Sequence, residues 1–157
     1  MPIRRIVLGL SFALFATVAA AQSQMPSYGP SVGIAAAKRI AAGTVAECQK
    51  NNWNIAVAIV DTHGSLVYFE RMEDTQIAGV KIAIQKAKAS ATYRRPTRAF
   101  EDAIQKGRVA AVTFPGIVAS PGGVPITSGG KIVGAVGVSG VLGDQDEQCA
   151  KAGIAGM

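Results

Sequence analysis

The stretch S-P-G-G-V-P-I-T-S-G-G-K-I-V-G-A-V-G-V-S-G, Ser120 to Gly140, decides the fold. It reads as two strands and a tight turn. Val124 to Thr127 is the first strand, with Pro125 near its start. Lys131 to Ser139 is the second, its branched apolar residues separated by glycines. Ser128-Gly129-Gly130 between them is a hairpin signal, because glycine accepts the positive φ that such turns require. Glycine inside a strand costs stability, so Gly134 and Gly137 need a reason. Close approach of another backbone or of a ligand supplies one, and tight packing of the sheet is the simpler of the two.

Working outward from this hairpin, Ile55 to Val60 is a short branched apolar run that suits a strand buried on both faces. Asp61-Thr62-His63-Gly64 is a turn, and Leu66 to Arg71 alternates as a second strand, making another hairpin. Ser31 is read as the cap of a helix ending near Lys50, with Ile34, Ala37, Ala41, Val45 and Cys48 on one stripe. Asp74 or Thr75 opens a helix whose apolar stripe is Ile77, Val80, Ile84, Ala87 and Ala91; Lys81, Gln85, Lys86 and Lys88 fall on its other faces. Pro96 ends it near Arg94. Thr97 caps a short helix to about Lys106, Val109 to Phe114 is read as a third strand, and Asp144 to Ala155 is a final helix with acids at its start. The order of elements predicts one α+β domain, residues 31–157, with a single antiparallel sheet and helices packed on it.

The amino terminus carries a separate message. Arg4 and Arg5 precede an apolar run, Ile6 to Val18, and Ala19-Ala20-Ala21 offers small residues for cleavage. Residues 1–21 therefore read as a signal peptide, with Gln22 first in the mature chain and residues 22–30 a flexible lead-in. The run is short of the roughly 20 residues of a membrane span. The expectation is a periplasmic or secreted protein with no stable membrane anchor after cleavage; an uncleaved anchor is the alternative. Removing Arg4 and Arg5 leaves 14 of the 16 cations against 10 acids, a formal charge of +4. That charge, without a dense Lys/Arg tract, argues against a nucleic-acid partner and suits a small anionic ligand.

The chain has one histidine, His63, so no multi-histidine metal site is available and none is expected. Ser139 lacks the G-x-S-x-G context of a nucleophile, and the glycine-rich segment is neither a P-loop nor a dinucleotide fingerprint. Nothing here assigns an enzyme. The basic residues are more suggestive: Lys88, Arg94, Arg95 and Arg98 bracket the Pro96-Thr97 corner beside Tyr93, and guanidinium forks suit carboxylates. The ligand site is expected where that corner meets the corner Gly122-Gly123-Val124-Pro125, with Arg71 or the Arg94/Arg95 pair nearby. Asp144, Asp146 and Glu147 suit either a weak cation or a helix start. Cys48 and Cys149 lie in no C-x-x-C pattern.

The segments N-W-N-I-A-V-A-I-V-D-T-H-G-S-L-V-Y-F-E-R-M-E-D, A-I-Q-K-A-K-A-S-A-T-Y-R-R-P-T-R-A-F, G-G-V-P-I, G-K-I-V-G-A-V-G-V-S-G and D-Q-D-E-Q-C-A-K-A-G resemble the GlcG/HbpS-like family. This family is also described as haem-binding or haem-degrading and is related to the carboxy-terminal domain of PduO-type proteins. The resemblance covers nearly all of the mature chain. It implies a profilin-like fold, homo-oligomers, and haem or another tetrapyrrole as ligand, with sequestration or slow degradation as the role. An accessory protein that binds a small hydroxy acid or diol for a periplasmic oxidation system is the alternative. For haem, His63, Tyr93, Tyr28 and the methionines are the credible axial donors. In such a fold the first and last helices can lie side by side, which would allow a Cys48–Cys149 disulfide; two separate buried thiols would pack equally well.

Overall fold

A computed structural model describes residues 25–157. The segment read as a signal lies outside the described residues. The elements in order are α1 (Ile34–Lys50), β1 (Ala56–Val60), β2 (Leu66–Arg71), α2 (Ile77–Tyr93), α3 (Arg98–Gln105), a 3-10 turn (Val109–Thr113), β3 (Gly123–Ser128), β4 (Lys131–Ser139) and α4 (Gly143–Ala155). The strands form one antiparallel sheet in the order β2-β1-β4-β3. The expected α+β architecture is the one observed. The β3–β4 hairpin closes through Gly129-Gly130, both at positive φ (+54° and +74°), as a two-residue turn of this twist demands.

Side chains alternate across the sheet and build two cores. Val57, Ile59, Val136 and Val138 join α1 and α4 residues such as Ile40, Val45 and Ala150 on one face. Ala56, Ala58, Val60 and Ala135 meet Ala83, Ala87 and Ala91 of α2 on the other. The second core is made almost wholly of small residues, so the α2 backbone lies close on the strands. A Cβ at Gly137 would stand 2.1 Å from the Ala83 carbonyl oxygen and 2.4 Å from the Ala87 nitrogen. A Cβ at Gly134 would stand 2.3 Å from the Val60 carbonyl oxygen. Both strand glycines therefore answer to backbone approach.

That closeness corrects the reading of α2. Of the expected stripe, Ala87 and Ala91 are buried and Ile84 packs against this core, but Ile77 is 90% exposed. The buried face also takes in Gly79, Ala83, Lys86 and Ser90, because bulky residues there would hold the helix off the sheet. Lys86, expected on an outer face, is buried. The run Val109 to Phe114 is no strand but a 3-10 turn with Val109 and Val112 exposed. Gly107 and Pro115 confine it to turn length. Ser31 does not cap α1, whose N-cap is Gly33; its hydroxyl meets that of Thr62 at 2.7 Å. The lead-in, expected to be flexible, is tied down from Met25 onward. Gly29 N–H donates to Ile132 O at 2.7 Å, and Ile132 N–H donates to Ser27 O at 2.9 Å.

Cys48 of α1 and Cys149 of α4 are joined by a disulfide, their Cα atoms 5.6 Å apart and 101 residues apart in sequence. Both are fully buried in the first core. A cross-link over so long a loop restricts the unfolded chain strongly. Replacing both cysteines by alanine should lower unfolding stability by about 2–5 kcal/mol, read from guanidinium denaturation. Midpoints that coincide for the two proteins would show that the link adds nothing.

Candidate functional site

The two corners expected to frame a ligand do meet. Thr97 N–H donates to Gly123 O at 2.9 Å, and Gly123 N–H donates back to Thr97 Oγ1 at 2.9 Å. The Thr97 hydroxyl donates to Ser120 O at 2.7 Å. Thr97 is thus a clamp between loops, with no capping bond to α3. These bonds use the polar groups that were to hold a ligand. Thr97, Gly122 and Gly123 are buried, and Pro125 is half-buried. A Cβ at Gly123 would lie 2.5 Å from the Lys86 carbonyl oxygen, so the junction is filled by protein. Arg71 sits at the end of β2, on the opposite edge of the sheet from β3.

The paired arginines follow the left-handed turn at Arg94, φ +53°, that ends α2. Arg94 lies over the Tyr28 ring at 5.5 Å and donates to Pro26 O at 3.3 Å. Arg95 lies over Phe100 at 5.9 Å and donates from Nε to Tyr93 O at 3.2 Å. The Tyr93 hydroxyl donates to Pro115 O at 2.8 Å, and its ring packs edge-on against Phe100 and stacks on Phe114. Tyr93 is therefore a clasp for the 114–118 loop.

Behind the closed corner lies a charge pair that pattern reading missed. Lys86 Nζ is 2.8 Å from Asp146 Oδ2 and donates to Val138 O at 3.1 Å; both side chains are 2% exposed. A Cβ at Gly122, φ +119°, would come within 2.9 Å of this ammonium. Burial pushes the Asp146 carboxyl above its ordinary range, while Lys86 and the N–H groups of Val141 and Gly140 pull it down. A carboxyl raised by folding costs stability: fully above its folded pKa, and progressively less as pH falls towards the unfolded value. Next to the pair, Arg98 bridges Asp144 and Glu147, and Lys151 meets Glu147 at 2.6 Å. The three acids at the start of α4 are all matched by cations, so of the two readings offered for them the helix start is the one that fits. The signal for Lys86 was its spacing, for Gly79, Ala83, Lys86 and Ser90 recur at helical intervals as a stripe of small residues with one lysine.

Among the open clefts is one of about 430 Å³ lined by Tyr28, Gly29, Thr62, His63 and Thr92. The turn positions its imidazole. Asp61 Oδ1 accepts the N–H groups of His63 and Ser65, each at 2.8 Å, and Gly64 takes the positive φ, +79°. Thr62 Oγ1 lies 3.3 Å from His63 Nδ1, and Nε2 has no hydrogen-bond partner among the described residues. The Tyr28 hydroxyl donates to Ala91 O at 2.8 Å, fixing the phenol at the rim with the Arg94 guanidinium over its ring. Arg94 has no carboxylate partner among the described residues. The cleft thus brings together two of the expected axial donors, His63 and Tyr28, with the Arg94 guanidinium held over the Tyr28 ring. Tyr93 is not part of it. No group of three or more His, Cys, Asp or Glu able to hold a metal occurs among the described residues.

Comparison with known proteins supplies the wider setting. Residues 32–155 match the family model described as haem degrading protein HbpS-like. Protein GlcG of Escherichia coli K12 is 44% identical over 100 residues, which is 64% of this chain and 74% of that protein. A double mutant of Streptomyces reticuli HbpS superposes with a TM-score of 0.74 at 26% identity, over 93% of this chain and 97% of the other. A PduOC:heme complex superposes with a TM-score of 0.74 at 24% identity, over 81% of this chain and 95% of the other.

The buried pair yields a prediction. Lys86→Met alone strands a buried carboxylate and should destabilise the fold by about 3–5 kcal/mol. The double variant Lys86→Met/Asp146→Leu should recover most of that loss. Thermal unfolding of the three proteins decides, and a double variant no better than the single one would contradict the account.

Proposed function

This chain belongs to the HbpS-like family of haem-degrading proteins, and from that membership we propose that it is an exported protein that binds haem or a related tetrapyrrole. The observation that carries the reading is the open cleft, whose lining holds the one imidazole of the chain and a phenol, with a guanidinium that has no carboxylate partner among the described residues lying over the phenol ring. The residues fit the group: His63 would hold its iron, Tyr28 stands at the rim, and Arg94 would offer charge to a propionate. Haem, when bound, would supply redox-active iron; the protein's part is to orient it and limit its contact with water. A second reading takes the same cleft as the seat of a small hydroxy acid, favoured by the hydroxyls of Thr62 and Thr92 beside Arg94.

Hemin titration separates the readings. Under the haem reading, the Soret band shifts and saturates at about one hemin per chain. His63→Ala should weaken binding by about tenfold or more and move the band, whereas Tyr93→Phe should leave the band position unchanged. An unshifted band in the wild-type protein would refute haem binding. Loss of the band with a reductant, faster than for free hemin, would assign degradation in place of storage.

Export is supported by Arg4-Arg5, the apolar run to Val18 and the small residues before Gln22. A Cys48–Cys149 bridge also suits an oxidising compartment. Mass spectrometry of the mature protein should find Gln22, or its pyroglutamate, at the amino terminus. Material that still begins at Met1 would overturn this assignment.

A further inference from the structure

A second cleft, of about 300 Å³, is lined by Gln85, Lys88, Gly116, Ile117 and Val118. It shares a wall with the His63 cleft. Thr92, in the first cleft, and Lys88, in the second, are four residues apart on α2 and so lie on one helix face. The Lys88 stem also reaches the β1–β2 turn: a Cβ at Gly64, next to His63, would stand 3.7 Å from Lys88 Cγ. Lys88 is therefore the ridge between the two clefts. Its charge is uncompensated, because no carboxylate lies within ion-pair distance of it among the described residues, whereas Lys86, two positions earlier, is matched by Asp146. On the far side the wall is apolar, with Ile117 and Val118 half-buried on the loop that Tyr93 clasps through Pro115.

From this arrangement we infer that the two clefts form one groove and that Lys88 anchors a carboxylate of the ligand lying across it. An imidazole and a guanidinium stand at one end, an ammonium at the ridge, and branched aliphatic side chains at the other end. This order suits a broad, flat, apolar molecule that carries two carboxylates and a metal centre. A small hydroxy acid would fill the first cleft and leave Lys88 untouched. The inference rests on the tetrapyrrole reading above and adds to it the group that recognises the ligand's acid side chains.

The test uses the mature protein, hemin, and hemin dimethyl ester, in which both propionates are blocked. Lys88→Glu should weaken hemin binding by about tenfold or more without moving the Soret maximum, since His63 is unchanged. The ester should bind wild type and Lys88→Glu alike. Lys88→Gln should lie between them for hemin and match wild type for the ester. Lys88 is exposed and unpaired, so circular dichroism and thermal unfolding of both variants should match wild type. Equal hemin affinity in wild type and Lys88→Glu, or an equal loss for the ester, would overturn the role of Lys88 while leaving haem binding intact. Wild-type protein that binds neither compound would overturn the tetrapyrrole reading and this one with it.

Discussion

The contact on which the structure depends is the close approach of α2 to β4. Gly137 faces the Ala83 carbonyl and the Ala87 nitrogen with no room for a methyl group. Alanines on β1 and α2 keep the same separation along the rest of the interface. Small residues bury little apolar area each, so this core relies on density and backbone proximity more than on large hydrophobic side chains. The opposite face has the usual Ile and Val core beneath α1 and α4, strengthened by the disulfide.

Proximity explains the charge arrangement. With α2 pressed onto the sheet, position 86 points inward past Gly122 to Val138 and α4, and only a long side chain reaches that far. The ammonium ends among a carboxylate and a carbonyl, and no buried side-chain nitrogen or oxygen among the described residues is left without a partner. Such a pair is costly to desolvate and adds little net stability; its effect is to fix the register of α2 against α4, since any slip would leave one charge alone in the core. Thr97 performs a similar task for the loops, joining the residues before α3 to the start of β3.

These constraints dispose the remaining reactive groups around the outer end of α2. The lead-in runs beside the start of β4 and delivers Tyr28, the β1–β2 turn delivers His63, and the helix end delivers Thr92 and Arg94. Parts far apart in sequence meet there because the antiparallel order β2-β1-β4-β3 brings the turn after β1 and the start of β4 to one end of the sheet. A donor held on a short, hydrogen-bonded turn is oriented without needing a large buried network.

The sequence by itself determined the elements whose signals are local. The glycine turn at Gly129-Gly130, the branched run of β1, the alternation of β2 and the proline that stops α2 were all legible, and with them the α+β class. The resemblance to the GlcG/HbpS-like family was legible because its motifs are spread from Asn52 to Gly153. Only the tertiary structure decided which face of α2 is inside. Periodicity weighs side chains by hydrophobicity, whereas the sheet selects for smallness at this contact, so Ile77 went out and Lys86 went in. It also decided that the Thr97 and Gly123 corners bond to each other, leaving the open cleft to Tyr28 and His63. A sequence names the polar groups at a corner, but whether they remain free for a ligand depends on the distance between corners, and that distance is set by packing.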